Sequence, residues 1–217
     1  MSLGKEIEEW RALNLHIPVS AEAEPRFFFM NESVFDEFPV LETERLLLRA
    51  VRPSDVTAVY AIFSDEAVTR YYGLETYTAV EEAAQRIAAI RQSYLKGRSI
   101  RWAITHKHDD RLIGTVGLMN WRPKYFQATI GYELAQTHWR QGVMTEALTA
   151  VIDFSFVVVA LNRLEAFVVP ENTPSISLLE KLGFVNEGLM REYGYWRQAF
   201  HDLFLFSLLR KDWSSMD

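Results

Sequence analysis

Residues 129–159 constrain this chain more than any other stretch. The alternating segment Thr129–Leu134 (T-I-G-Y-E-L) reads as a strand, because residues two apart share a face. A polar turn follows, and Gly142 then opens a run from about Val143 to Val159 that is apolar almost all round. A helix of that composition has to be buried. The first N–H groups of a helix have no intrahelical partner, and the helix dipole adds about half a positive charge at that end. A strand feeding a glycine-containing turn and then a helix N-terminus can therefore hold a phosphate with backbone alone.

The rest of the chain is arranged around that unit. Arg45–Val51 reads as a first strand. Pro53-Ser54-Asp55 starts a helix with Val56, Val59, Tyr60 and Phe63 on one face. A second helical piece covers Glu66–Tyr72, and Thr78 is expected to cap a longer helix through about Lys96, which Gly97 ends. Three strands follow, at Ser99–Thr105, Arg111–Trp121 and Phe126–Leu134, joined by short polar links that imply an antiparallel meander. After the buried helix, Arg163–Val169 reads as a strand parallel to the one before that helix. Pro174–Leu182 is a short helix ending at Gly183, and Phe184–Leu189, or a longer strand continuing to Tyr195, closes the chain as a hairpin with Phe200–Arg210. Gly114 and Gly117, inside a strand pattern, mark a bulge or close packing. Residues 1–40 stand apart as an N-terminal extension to a domain over 41–217. They hold a short helix over Lys5–Leu15 and the cluster Phe27-Phe28-Phe29-Met30, which packs on the domain or on a second copy, so that a homodimer is a plausible assembly.

Composition removes whole classes of function. A formal charge of −6 argues against direct nucleic-acid binding, which needs a basic face. With no cysteine there is no disulfide, thiolate metal site or cysteine nucleophile. His106 and His108 share a strand face, but no third ligand has a convincing spacing, so no metal is expected. No apolar run approaches membrane-spanning length and no export signal is visible, so the expectation is a cytoplasmic protein with no membrane contact.

Four segments together resemble one family. They are L-E-T-E-R-L-L-L-R at 41–49 followed by P-S-D, I-G-Y-E-L…H-W-R-Q-G-V-M-T-E-A-L at 130–148, E-N-T-P-S-I-S-L-L-E-K-L-G-F-V-N-E-G at 171–188, and F-H-D-L-F-L-F-S-L-L-R-K-D-W at 200–213. In this order and spacing the chain resembles the GNAT superfamily of acetyl-CoA-dependent N-acetyltransferases, and within it the ribosomal-protein alanine N-acetyltransferases. The resemblance implies an α/β (α+β) fold, a mixed, mostly antiparallel central sheet flanked by helices. Its two central strands, here Phe126–Leu134 and Arg163–Val169, would splay apart around the pantetheine arm of acetyl-CoA.

The resemblance also implies a site. Its phosphate motif, Gln/Arg-x-x-Gly-x-Gly/Ala, falls on 139–144, where only the central Gly142 matches and Trp139 and Met144 depart. Because backbone N–H groups do most of the binding, the phosphate-binding candidates are Gln141, Gly142, Val143, Met144 and Thr145, with Arg140 adding charge. The backbone of Tyr132, Leu134 and Ala135 would pair with the pantetheine arm, and an N–H near Leu134 would polarise the acetyl carbonyl. Asn172 would orient the pantetheine amide or a water, or else cap the following helix. The helix position where many members carry an acid tyrosine holds Leu179. Ser175, one turn earlier, matches a serine of the alanine-acetylating branch and becomes the candidate donor to the leaving sulfur.

Acetyl transfer needs a neutral amine. At pH 7 an α-amino group of pKa near 8 costs about 1.4 kcal/mol to deprotonate, and a lysine near 10.4 about 4.6 kcal/mol. Glu133, on the strand beside the acetyl site, is the candidate base. Strict alternation puts it on the face opposite Tyr132 and Leu134 unless a bulge intervenes. Tyr193, Tyr195, Trp196, His201 and Asp202, in the C-terminal hairpin, would wall the acceptor. The acceptor implied by the branch is a protein N-terminal α-amino group. The alternatives are a small amine (polyamine, amino acid or antibiotic) or a non-catalytic acyl-CoA-binding module.

Overall fold

A computed structural model describes residues 32–213. The helix expected at Lys5–Leu15 and the Phe27–Met30 cluster lie outside the described residues. Among those described, eight strands form one sheet in the order β1-β2-β3-β4-β5-β6-β8-β7. They are β1 (Leu41–Glu42), β2 (Leu46–Ala50), β3 (Ile100–His106), β4 (Asp109–Arg122), β5 (Gln127–Leu134), β6 (Arg163–Val168), β7 (Val185–Trp196) and β8 (Ala199–Leu209). Every neighbouring pair is antiparallel except β5 and β6.

Helices cover the sheet on both sides. On one side α1 (Val56–Phe63) and α3 (Val80–Leu95) bury Val59, Ile62, Phe63, Ala83 and Ile87 with Ala103 and Leu112, with the short α2 (Glu66–Thr69) between them. On the other, α4 (Val143–Asp153) buries Val143, Met144, Ala147, Leu148, Val151 and Ile152 in the main core with Trp102, Ile104, Val116 and Leu164. The short α5 (Thr173–Lys181) adds Leu179 to that core, and α6 (Arg210–Trp213) ends the described chain. Val34 is buried, and Phe35 and Phe38 pack against the same core, so packing reaches back ahead of Leu41.

Two local expectations change and a third is resolved. Thr78 does not cap α3. The Glu82 carboxylate reaches back to accept from the N–H groups of Thr78 (2.8 Å) and Ala79 (2.9 Å), which fixes the start one residue later. The α-helical part of α4 stops at Asp153 and continues as a π-turn over Phe154–Val158, where the Ser155 hydroxyl donates to the Val151 carbonyl at 2.6 Å. Val157, at 79% exposure, faces solvent there, so the apolar run is interrupted before its buried end at Val159 rather than buried all round. Gly114 marks close packing, since a Cβ there would sit 2.6 Å from the Glu133 carbonyl oxygen.

The sheet's central feature is a short parallel pairing. β5 and β6 pair only through Gln127↔Arg163, Ala128↔Leu164 and Thr129↔Glu165. Beyond Thr129, β5 stays on β4 as far as Gly114↔Leu134, while β6 stays on β8 as far as Val168↔Phe204. The two strands therefore splay, leaving the β5 backbone from Ile130 to Leu134 without a β6 partner. Polar backbone groups left open in this way ask for a ligand.

Candidate functional site

The splay is bridged at its wide end by two hydroxyls. Tyr132, from β5, and Ser175, in the first turn of α5, share a hydrogen bond of 2.7 Å. Burial pushes the Tyr132 phenol up to about 12, against a smaller downward pull from Ser175. The phenol thus keeps its proton at neutral pH. Asn172 is the N-cap of α5, its Oδ1 accepting from the Ser175 N–H at 3.3 Å, the ordinary task of asparagine at a helix start. Leu179 is fully buried in the core.

The turn between β5 and α4 is shaped by its own residues. The Ala135 N–H donates to the Ile113 carbonyl (2.9 Å), and the Trp139 indole N–H donates to the Leu134 carbonyl (2.8 Å). The Gln141 side-chain amide donates to the Thr137 carbonyl at 2.9 Å. Arg140 and Gly142 have φ of +59° and +75°. The second is natural for glycine, and the first puts strain on a residue with a Cβ. Val143 and Met144 sink their side chains into the core. The first intrahelical bond is Glu146 N–H to the Gly142 carbonyl, so the N–H groups of Gly142, Val143, Met144 and Thr145 form the open first turn of α4. Such a cradle, with Arg140 exposed beside it, suits a phosphate in shape and charge.

Glu133 faces away from this cleft. The β4–β5 register runs without a shift from Gly114↔Leu134 to Met119↔Thr129, so no bulge turns it toward Tyr132. It is buried on the α1–α3 side in a network the sequence did not reveal. Arg101 Nη1 lies 2.9 Å from Oε2, the Tyr72 hydroxyl donates to Oε2 at 2.8 Å, and the Thr115 hydroxyl makes a short bond to Oε1. Arg86 Nη2 stands 3.8 Å from Oε1 and donates to the Tyr72 oxygen at 2.8 Å, with its guanidinium over the Phe63 ring. Burial alone would raise the Glu133 carboxyl, but Arg101, Arg86, Thr115 and Tyr72 together hold it below its ordinary value. A direct base role thereby loses physical support, because the lone pairs are engaged and the proton affinity is lowered.

The C-terminal hairpin reaches toward this side of the molecule. Tyr193 of β7 stacks on Phe167 of β6, with ring centroids 5.2 Å apart. Trp196 stacks on His201 at 3.9 Å, and a Cβ on Gly73 would meet the Trp196 ring at 3.7 Å. Arg197 Nη2 donates to the Thr76 hydroxyl at 3.2 Å. The hairpin tip and the loop before α3 thus meet, while Tyr195 stays largely exposed.

The family model described as an acetyltransferase (GNAT) domain matches residues 45–185. The chain belongs to the GNAT acetyltransferase family. The N-acetyltransferase YoaA of Bacillus subtilis is 39% identical over 173 residues, covering 80% of this chain and 98% of YoaA. The ribosomal protein uS5-alanine N-acetyltransferase of Escherichia coli is 26% identical over 187 residues, covering 80% and 92%. Mycobacterium smegmatis RimJ, solved with CoA-disulfide, superposes with a TM-score of 0.70 at 27% identity, covering 80% of this chain and 87% of RimJ. This is therefore an N-acetyltransferase, moving acetyl from acetyl-CoA to an amine acceptor.

Within this GNAT chain the candidates separate into two groups. Tyr132, Leu134, Ala135, Asn172, Ser175 and the 140–145 turn gather around the splay and the start of α4, whereas Glu133 joins Tyr72, Arg86, Arg101 and Thr115 on the opposite face. Among the described residues no group of three or more histidines and carboxylates could hold a metal ion, and no helix is long and apolar enough to cross a membrane.

Proposed function

We propose that this GNAT enzyme acetylates a protein N-terminal α-amino group, with the reacting thioester held in the β5–β6 splay. The observation that carries the site is the Tyr132–Ser175 hydroxyl pair beside the unpaired β5 backbone. Acetyl-CoA supplies an activated acetyl group, whose carbonyl carbon takes the amine while the carbon–sulfur bond breaks. The N–H groups of Gly142 to Thr145 hold the phosphates, helped by Arg140. The β5 backbone at Tyr132 and Leu134 pairs with the pantetheine arm, and an N–H near Leu134 donates to the acetyl oxygen. Ala135, expected beside them, takes no part, because its N–H is held by the Ile113 carbonyl and its own carbonyl by the His138 N–H. Ser175 passes a proton to the departing sulfur and is reprotonated through Tyr132 from solvent, so that CoA leaves as the thiol and both hydroxyls are restored. The amine's proton leaves to water. Glu133 acts from behind the strand, fixing Arg101 and Tyr72 and setting the charge on the acceptor side.

Charge supports the choice of acceptor. The Glu133 carboxylate is outnumbered by the Arg101 and Arg86 guanidinium groups beside it, which disfavours a polycation such as a polyamine. The uS5-alanine acetyltransferase of E. coli supports a protein N-terminus, at 26% identity.

The test is turnover of acetyl-CoA with N-terminal peptides beginning Ala or Ser, against spermidine and free amino acids, following thiol release. Peptide-dependent release supports the proposal. Faster release with spermidine overturns the acceptor, and acetyl-CoA binding without release on any acceptor favours the non-catalytic module.

A further inference from the structure

The segment L-E-T-E-R-L-L-L-R at 41–49 marks the family, yet the mechanism above gives it no task. The structure divides it. Arg49 is buried and forks onto Asp55 with two bonds of 2.9 Å, joining β2 to the start of α1. Arg45, by contrast, keeps 47% of its side chain exposed and stands at the N-terminus of α4. Its Nε donates to Glu146 Oε2 at 2.6 Å. Its own N–H (2.9 Å) and the Thr43 hydroxyl (2.5 Å) donate to Glu146 Oε1. Its Nη1 donates to the Gln141 carbonyl at 3.2 Å, and a Cβ on Gly142 would lie 3.5 Å from its Nη2.

Two physical consequences follow. The Gln141 carbonyl and the Gly142 N–H belong to one trans peptide and point in opposite directions. A guanidinium holding that carbonyl therefore turns the Gly142 N–H away from Arg45, toward the open first turn of α4. Glu146 is also anionic and sits one turn into the helix, where it would repel a phosphate. Arg45, paired to it, cancels that charge beside the ligand. Glu146 in turn holds the guanidinium still, so the arrangement is formed before any ligand arrives.

We infer that Arg45 is a positioning residue for the diphosphate of acetyl-CoA, setting the Gln141–Gly142 peptide and neutralising Glu146. This rests on the acetyl-CoA reading of the turn proposed above. It gives the 41–49 segment a role in ligand binding as well as in the fold, across 101 residues of sequence.

The experiment is calorimetric titration of the full chain with CoA and with dephospho-CoA, each variant first checked by thermal melting. Arg45→Ala is expected to weaken both ligands by the same factor, at least about tenfold, the size of one charge-assisted contact. Arg45→Lys keeps the charge but not the fork, and is expected to lose at least about threefold. If Arg45→Ala does not fold, Arg45→Lys decides, and wild-type affinity there overturns the inference. A loss confined to CoA would move the guanidinium to the 3′-phosphate and overturn the diphosphate role. Gly142→Glu separates the two levels. If it fails to bind while Arg45→Ala binds like wild type, the Arg45 role alone falls. If Gly142→Glu binds like wild type, or the wild-type chain does not bind CoA, the acetyl-CoA reading falls and the Arg45 role with it.

Discussion

Tyr132 Oη and Ser175 Oγ stand 2.7 Å apart across the splay between β5 and α5. Leu179, at the helix position for which the family resemblance implies a phenol in many members, is buried aliphatic core, and the phenol in this region is Tyr132 of the strand. If the two hydroxyls act as one donor to the departing sulfur, their effects will not add. Ser175→Ala and Tyr132→Phe are each expected to lower kcat by about ten- to a hundredfold, and the double variant to be no slower than the worse single one. Affinity for acetyl-CoA should change far less. Steady-state rates with an accepted peptide check this, and multiplicative losses would show that the hydroxyls act separately.

Glu133 and Arg101 form a pair almost wholly out of solvent, with side-chain exposures of 1% and 9%. Removing one partner of such a pair costs about 3–5 kcal/mol, because the other is left charged and buried. Glu133→Gln is therefore expected to lower the melting temperature, and adding Arg101→Gln should cost less than the sum of the two singles. Turnover should fall more than acetyl-CoA affinity if the network lies, as proposed, on the acceptor side of β5. Denaturant unfolding of the four proteins gives the coupling. Unchanged stability and wild-type rates in Glu133→Gln would remove both roles.

What the sequence could say depended on range. Period-two runs such as Thr129–Leu134 and the dense apolar face of α4 announce themselves locally, because each is a repeat of residues close in the chain. The splay was foreseen from family resemblance, and the three-rung β5–β6 pairing agrees with it. The π-turn at Phe154–Val158 was missed because its residues are as apolar as the helix before them, so composition gives no sign of where the turn widens. The Glu133 network was missed for another reason. Tyr72 and Arg101 meet it from 61 and 32 residues away, and nothing in a single sequence pairs a tyrosine with a distant carboxylate. Alternation alone did predict which face Glu133 takes, and the unbroken β4–β5 register agrees.

Gly142 separates backbone geometry from ligand charge. Its φ of +75° is left-handed, and an added Cβ would make ordinary contact at 3.5 Å with Arg45. Gly142→Ala should therefore fold at a cost of about 1–2 kcal/mol, from strain alone. Gly142→Glu adds a negative charge at the open N–H groups of α4 and is expected to abolish CoA binding. Calorimetry on the two variants side by side checks this, and equal affinity in both would show that no phosphate meets this turn.

His138 gives the fold a pH dependence of defined sign. It lies in the turn before α4, its ring 5.9 Å from that of His106, which in turn stacks on His108. Burial, with His106 and Arg111 nearby, holds the imidazole below its ordinary value. The unfolded chain then binds more protons than the folded one below about pH 6.5, and stability must fall as pH drops through that window. Above it both states are neutral at this position and the contribution is constant. His138→Gln cannot take the proton, so its melting temperature should decline less than that of wild type between pH 7 and pH 5. Thr137 shares a 3.0 Å hydrogen bond with the His138 ring and would lose that contact too, so the informative quantity is the slope against pH rather than the absolute stability. Parallel slopes in the two proteins would assign the pH dependence to other groups.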